Sequence, residues 1–215
     1  MQSVSFGGEL IVLRTLQDQY FQMKQQCRID DRTKGSRFIA TATPVTTEAE
    51  ATAFVDEIKK EFHDATHNAF AWKVGYGKNQ RYRYSDDGEP SGTAGLPILK
   101  AIDARGVSYV CVVVTRYFGG VKLGTGGLMR SYGKVASDLL RTSELEKKYF
   151  TETLKFSVEF DFVNVVHNII NTFDAELKDS QYGEKVTFEV EARASQLVAF
   201  KKKLTDGTNG QVEFL

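Results

Sequence analysis

Residues 107–141 read VSYVCVVVTRYFGGVKLGTGGLMRSYGKVASDLLR, and this stretch decides the fold. Its first part, residues 107–115, is short, apolar and rich in valine, which is typical of a strand buried on both faces. Residues 116–127 are rich in glycine and predict a loop. Residues 128–141 place apolar side chains on one stripe, which predicts a helix that begins near Leu128. The stretch therefore predicts a domain that mixes helices with a buried sheet.

The residues upstream continue this alternation of strands and helices. Residues 37–43 have the composition of a strand that stops at Pro44, and the threonines that follow predict the start of a helix with an apolar stripe. Along residues 68–76, large apolar side chains alternate with alanine and lysine, as they do in a half-buried strand. Residues 85–95 have the composition of a loop, and residues 96–105 predict a helix that stops at Gly106.

The pattern changes after residue 149. Residues 150–215 predict the order strand, helix, strand, strand, helix, strand, which is the ferredoxin-like arrangement. Residues 30–149 then form the first domain, and we interpret residues 1–29 as an N-terminal extension outside both. The predicted fold class is α+β with two domains.

Composition excludes several classes of protein. The 215 residues have a net charge of zero, so binding to nucleic acid through overall positive charge is not indicated. The two cysteines, 84 positions apart, predict neither a disulfide framework nor a zinc site. No apolar stretch is long enough to span a bilayer, and no signal peptide is evident, which favours the cytoplasm. The sequence indicates no cofactor and no metal.

One segment is unusual in its glycines and charges. Ten of the 18 glycines fall between Gly88 and Gly133, and residues 104–137 contain five basic side chains and no acid. Glycines let backbone N–H groups approach a ligand, and a helix start attracts anions, so this segment predicts a phosphate site. The spacing does not match a nucleotide-binding glycine loop, because Thr125 and Gly126 stand where lysine and a hydroxyl residue are required. The glycines are alternatively explained by tight turns alone.

A cluster of acids precedes this segment. Asp86, Asp87 and Glu89 have the residue types that hold Mg²⁺ or act as an acid and base pair. The same residues are alternatively good turn formers, with Gly88 supplying a positive φ angle. His67 is the histidine that the predicted fold places near this region.

Four stretches together resemble the YigZ/IMPACT family: KGSRFIATATPV at 34–45, HNAFAW at 67–72, SDDGEPSGTAGLPIL at 85–99 and VVVTRYFGGVKLGTGGLMRSYG at 112–133. The resemblance implies that the first domain is similar to the second domain of ribosomal protein S5. It also implies that the second domain is ferredoxin-like and similar to domain V of elongation factor G.

The leading functional hypothesis is a nucleic-acid or ribosome-associated binding protein, a translation regulator of the family's type, without catalytic residues. Ten residues are predicted to bind phosphate or nucleic acid: Arg116, Tyr117, Gly119, Gly120, Lys122, Gly124, Thr125, Gly126, Gly127 and Arg130. Eight more form the predicted motif loop and its neighbour: His67, Asp86, Asp87, Gly88, Glu89, Ser91, Gly92 and Thr93. Expected partners are RNA or the ribosome, with protein partners also open, and no membrane.

Two other functions remain open from the sequence. One is a hydrolytic or metal-assisted enzyme that uses Asp86, Asp87 and Glu89 with His67. The other is a protein-interaction domain that uses the sheet of residues 150–215.

Overall fold

A computed structural model describes residues 19–75 and 79–215. The chain divides into two compact units, one of Tyr20–Lys148 and one that includes Tyr149–Leu215. The first contains β1 (Gln19–Met23), β2 (Cys27–Thr33), β3 (Ser36–Pro44), α1 (Glu48–Glu61), β4 (His67–Val74), β5 (Arg81–Ser85), α2 (Gly95–Arg105), β6 (Val110–Tyr117), α3 (Gly124–Thr142) and β7 (Leu145–Tyr149). The second contains β8 (Thr151–Val158), α4 (Val163–Thr172), β9 (Glu176–Tyr182), β10 (Val186–Arg193), α5 (Leu197–Gly207) and β11 (Glu213–Phe214). Among the described helices, none combines the length and apolarity needed to cross a bilayer.

Strand β6 is the centre of a five-stranded sheet in the first unit. The strand order is β2-β3-β6-β4-β5, and every neighbouring pair is antiparallel. Val110, Val112 and Val114 belong to the core that includes α2 and α3, whereas Cys111 and Val113 belong to the core that includes α1. The prediction of a strand buried on both faces is therefore confirmed.

Strand β4 corrects one prediction, because it is buried on both faces rather than one. Phe70 and Trp72 pack in the core on the α1 side, as their size suggests. Ala69 and Ala71, on the opposite face, are fully buried in the core that includes α2 and α3. From the sequence, we expected these alanines to face solvent. Their small side chains instead let α2 pack closely on the strand.

Helix α3 begins four residues earlier than predicted. It starts at Gly124, which has a φ angle of 71°. Glycine adopts this left-handed conformation without the steric cost of a Cβ atom, so the chain can turn at Gly124 directly into the helix. Gly126 and Gly127 consequently lie in the first helical turn and not in a loop.

Residues 19–29 contribute strands to the first unit. β1 pairs with β7, and β2 pairs with β3 from Cys27–Ala42 to Thr33–Ser36. The boundary that we expected at residue 30 therefore lies inside β2. The earlier part of the expected extension, residues 1–18, lies outside the described residues.

Strand β5 forms one edge of the five-stranded sheet. It pairs with β4, and its residues Arg81, Tyr82, Arg83 and Tyr84 are all exposed. Arg81 forms an ion pair with Glu48 of α1 at 3.1 Å. Among the described strands, no second neighbour covers its outer side.

The second unit confirms the predicted ferredoxin-like arrangement. Its antiparallel sheet has the order β11-β8-β10-β9, so the first and third strands of the unit are central. Side chains from α4 and α5 cover one face and enclose a core around Phe156, Phe188 and Phe200. The fold class, α+β with two domains, is thus as the sequence indicated.

Candidate functional site

The two unusual sequence segments meet at one cavity of about 390 Å³ in the first unit. We call it the Lys122 cavity. The acid-bearing segment contributes two lining residues, and the glycine-rich segment after β6 contributes most of the others. The lining residues are Thr66, His67, Glu89, Pro90, Arg116, Phe118, Lys122, Leu123, Gly124, Thr125 and Leu128.

Asp86 holds the acid-bearing loop in place from inside. Its Oδ2 atom accepts a hydrogen bond from the Gly92 N–H at 2.8 Å, and its Oδ1 atom accepts from the Ala94 and Gly95 N–H groups at 2.9 Å each. Desolvation opposes ionisation, but the three N–H donors outweigh it and hold the pKa of Asp86 below its ordinary value. Asp86 therefore acts as a cap for the start of α2.

Asp87 ties the same loop to its neighbours. Its carboxylate accepts hydrogen bonds from Lys59 Nζ and from the Asn68 N–H, both at 2.6 Å. The backbone of Asp87 has a φ angle of 48°, which aspartate tolerates better than most residues. Gly88 follows with a φ angle of 88°, as the turn interpretation of this segment requires.

Glu89 and Arg116 form a buried ion pair at the floor of the cavity. Their side chains are 3% and 6% exposed, and Arg116 Nη1 lies 2.6 Å from Glu89 Oε1. The Tyr132 hydroxyl donates to the same oxygen at 2.8 Å, and Arg116 Nη2 donates to Ser36 Oγ at 3.2 Å. Burial and the adjacent carboxylate raise the pKa of Tyr132, so it remains a donor.

This pair corrects the expected role of Arg116. We expected its charge to face a phosphate, but Glu89 already neutralises that charge within the protein. Truncation of Arg116 would leave Glu89 buried without its partner, which typically costs about 3–5 kcal/mol. The Cζ atom of the guanidinium also lies 5.6 Å from the centroid of the Phe38 ring and 5.5 Å from that of the Phe118 ring. Arg116 therefore positions the cavity wall.

His67 has a defined orientation at the cavity edge. Its Nδ1 atom lies 2.8 Å from the carbonyl oxygen of Asp87, and a carbonyl oxygen can only accept. Nδ1 therefore carries the proton in the neutral ring, and Nε2 is left as an acceptor. Nε2 lies 3.9 Å from Glu89 Oε1, so a protonated His67 would face a carboxylate.

The start of α3 supplies the positive side of the cavity. Gly124 and Thr125 line it, and no acid occupies the first helical turn. The Leu123 side chain that precedes the helix makes no capping hydrogen bond, and no other side chain of the described residues caps the first N–H groups. Helix N-termini with unsatisfied N–H groups attract anions. Lys122 is exposed beside them, and within residues 19–75 and 79–215 it forms no ion pair.

Several other predicted residues lie elsewhere. Tyr117 points away from the cavity and donates its hydroxyl proton to Asp64 Oδ1 at 2.7 Å, whereas Phe118 lines the cavity. Gly119 lies against the backbone of Gly35. Gly127 and Arg130 line a second cavity, described below, and Gly120 and Gly126 line neither of these two.

The remaining loop residues have structural contacts. The Gly92 N–H binds Asp86, and the Thr93 hydroxyl donates to the Pro90 carbonyl oxygen at 2.6 Å. Ser91 is exposed and does not line the Lys122 cavity. Sequence reasoning missed Ser36, Thr66 and Tyr132, whose pattern is that of ordinary loop or core positions.

The three carboxylates do not converge on one point. Asp86 binds backbone N–H groups, Asp87 binds Lys59, and Glu89 binds Arg116. In the described part of the chain, no group of three or more histidine, cysteine, aspartate or glutamate side chains is placed to hold a metal ion. The arrangement gives no specific support to a metal-assisted hydrolytic centre.

Comparisons with known proteins match both units. Residues 34–140 match the model of the Impact N-terminal domain, and residues 156–211 match a domain of unknown function, DUF1949. A solved structure described only as a hypothetical protein is 31% identical, covers 93% of this chain and 98% of its own, and has a TM-score of 0.68.

Curated relatives extend over most of the chain. The IMPACT family member YvyE of Bacillus subtilis is 37% identical over 192 residues, which cover 89% of this chain and 88% of the relative. The IMPACT family member YigZ of Escherichia coli is 33% identical over 183 residues, which cover 85% of this chain and 90% of the relative. The chain therefore belongs to the IMPACT family.

Proposed function

We propose that this protein binds single-stranded RNA, free or in the ribosome, and that the Lys122 cavity takes one nucleotide. The observation that carries the proposal is the pairing of an uncapped helix start and Lys122 with an apolar wall in one cavity. The family resemblance found in the sequence implies a role in translation, and we include that role in the proposal.

The charges support the binding of one phosphate. Arg116 is neutralised by Glu89, so Lys122 and the N–H groups at the start of α3 supply the remaining positive potential. A phosphate oxygen accepts hydrogen bonds from both types of donor. This arrangement predicts modest affinity that depends weakly on salt.

The apolar wall supports the binding of a base. Phe118 is 47% exposed at the cavity, and Leu123, Leu128 and Pro90 line the same space. An exposed aromatic ring beside a phosphate site is the arrangement on which unpaired bases stack. A bare phosphate would leave this wall in contact with water.

A polar acceptor at the cavity edge supports a ligand that also donates. His67 Nε2 carries a lone pair in the neutral ring, whereas the Glu89 carboxylate is buried and already accepts from Arg116 and Tyr132. Bases carry N–H donors, and the ribose 2′-hydroxyl is a donor that DNA lacks. The cavity therefore contains an acceptor and donors that match a ribonucleotide.

The test measures binding of a fluorescent single-stranded RNA by anisotropy at several KCl concentrations. We expect Lys122→Ala to weaken binding and to reduce the slope of log K against log salt by about 0.7, the value for one phosphate contact on a single strand. Phe118→Ala should weaken binding by about 1 kcal/mol or more, as loss of base stacking does, without a change in slope.

The matched control is Lys100→Ala, because Lys100 is exposed on α2 and lines neither cavity. It removes the same charge and should leave both the affinity and the slope close to those of the wild type. Equal behaviour of Lys122→Ala and Lys100→Ala would refute the proposed site.

A further inference from the structure

A second, smaller cavity adjoins the Lys122 cavity. It has a volume of about 180 Å³ and lies between the turn that joins β2 to β3 and the exposed side of α3. We call it the Arg130 cavity. Its lining residues are Thr33, Lys34, Leu123, Gly127, Arg130, Ser131 and Lys134. Leu123 lines both cavities, so the two adjoin at this residue.

The Arg130 cavity has uncompensated positive charge. Lys134 is neutralised, because its Nζ atom lies 2.7 Å from Asp31 Oδ2 and 3.0 Å from Asp138 Oδ2. Lys34 and Arg130 differ from it: over the described ranges 19–75 and 79–215, neither forms an ion pair with an acid. Both are exposed. Two free cations at the rim of a cavity this small favour an anionic group.

Interleaved residues of α3 line the two cavities: Gly124, Thr125 and Leu128 line the first, and Gly127, Arg130, Ser131 and Lys134 line the second. Thr125 and Arg130 are five residues apart, which corresponds to about 7.5 Å along the helix axis. This separation is comparable with one step of an extended nucleic-acid strand. A duplex would not fit the first cavity, because a base must be unpaired to enter it.

We propose that the Arg130 cavity binds the phosphate next to the nucleotide held in the Lys122 cavity, so that a single RNA strand crosses Leu123. This inference rests on the proposed function and extends it from one nucleotide to a strand of at least two. Lys34 and Arg130 contact the second phosphate, and Leu123 supports the sugar between the two phosphates.

The test compares uridine 5′-monophosphate with a uridine dinucleotide and a tetranucleotide that carry a 5′-phosphate, by titration calorimetry and anisotropy. The wild type should bind the dinucleotide more tightly than the monophosphate. The double variant Lys34→Ala/Arg130→Ala should bind the dinucleotide roughly fivefold more weakly, the order expected for two exposed charge contacts. Its salt slope for the tetranucleotide should fall by about 0.7, because both cations contact the same phosphate.

The matched control is Lys60→Ala/Lys100→Ala, which removes two exposed charges outside both cavities. It should leave the dinucleotide affinity unchanged. The inference is overturned if Lys34→Ala/Arg130→Ala binds the dinucleotide like the wild type. It is also overturned if a tetraglutamate peptide competes with the tetranucleotide and the same double variant loses that competition, because the cavity then takes an acidic peptide.

These outcomes separate the two proposals. Suppose that Lys122→Ala abolishes binding of the monophosphate, but Lys34→Ala/Arg130→Ala still binds the dinucleotide more tightly than the monophosphate. The proposed function then stands, and the proposal that the strand continues into the Arg130 cavity is wrong. If both Lys122→Ala and Lys34→Ala/Arg130→Ala bind the tetranucleotide as tightly as the wild type does, both proposals are wrong.

Discussion

Glu89 joins three elements of the first unit through one carboxylate oxygen. That oxygen accepts from Arg116 of β6 and Tyr132 of α3, and it faces His67 at the start of β4. A buried charge requires compensation from both a counter-charge and hydrogen bonds, and Glu89 has both. The carboxylate fixes the floor of the Lys122 cavity.

The sequence could predict part of this arrangement. It showed that acids and bases are concentrated in two segments, and these segments do meet in the structure. It could not show that Glu89 and Arg116 bind each other, since the pairing depends on a tertiary contact between residues 27 positions apart. It also left open whether Tyr117 or Phe118 supplies an aromatic ring to the site. Because side chains alternate along a strand, Arg116 and Phe118 share a side and Tyr117 points to the other.

At the residue scale, we predict that Asp86 makes stability depend on acid pH. Its folded pKa lies below the unfolded value of about 3.9, so its contribution is fully present above that value. The contribution is lost as the pH falls through the lower folded pKa. Asp86→Asn should therefore be less stable than the wild type at pH 7, by about 1 kcal/mol after allowance for solvent screening.

Urea unfolding at pH 7, 5 and 3 measures this difference. The gap between wild type and Asp86→Asn should narrow as the pH falls from 5 to 3. Asp56→Asn is the control, because Asp56 is exposed on α1. A gap that stays constant from pH 7 to pH 3 contradicts the role assigned to the Asp86 carboxylate.

At the scale of elements, the turn after β6 and the turn before β3 are held in direct backbone contact. Gly119 and Gly35 are adjacent, and a Cβ atom on Gly119 would lie 2.0 Å from the Gly35 carbonyl carbon. The Gly119 N–H also donates to Ser36 Oγ, which in turn accepts from Arg116. Close contact between these two turns therefore supports the cavity wall.

We predict that Gly119→Ala destabilises the protein by more than about 2 kcal/mol, because the methyl group overlaps backbone that has little freedom to move. Gly120→Ala is the matched control. A Cβ atom there meets nothing within 4 Å, and its φ angle of 84° alone should cost about 1 kcal/mol. Denaturant unfolding measures both variants, and equal losses would show that the backbone contact between the turns is unimportant.

The element boundaries show why some predictions from sequence were wrong. Glycines disfavour helix interiors, so a cluster of them suggested a loop up to residue 127. In α3 they occupy the first turn, where Gly124 adopts a positive φ angle that a sequence pattern does not reveal. Likewise, the alanines of β4 suggested the exposed face of a strand, because the sequence pattern does not show that α2 covers them.

At the scale of the whole molecule, the two units differ in how far the sequence predicts them. The order of elements in residues 150–215 matches a common arrangement, and its sheet order follows. The first unit pairs β3 with β6, which joins Arg37 to Tyr117 across 80 positions. Periodicity identifies each strand but does not indicate which distant strand is its neighbour, so that sheet order could come only from the family resemblance.

We predict that damage to the second core leaves the Lys122 cavity intact, since every residue lining it belongs to Tyr20–Lys148. Phe188 is fully buried and stacks on Phe156 with a centroid distance of 5.6 Å. Phe188→Ala should cost about 3–5 kcal/mol and should increase amide hydrogen exchange within residues 149–215.

Hydrogen exchange followed by mass spectrometry measures the effect in both units. Val198→Ala is the control, because Val198 is 82% exposed on α5 and its truncation should change little. Loss of protection throughout residues 20–148 in Phe188→Ala would contradict the prediction.

The arginines of β5 have a consequence for the protein at high concentration. An exposed edge strand offers free backbone groups on which a second copy can add its own strand, and such addition starts aggregation. Two β5 edges that approached each other would bring the Arg83 side chains of the two copies together, and like charges repel, whereas Arg81 is already paired with Glu48. The edge that bears these side chains therefore resists self-association.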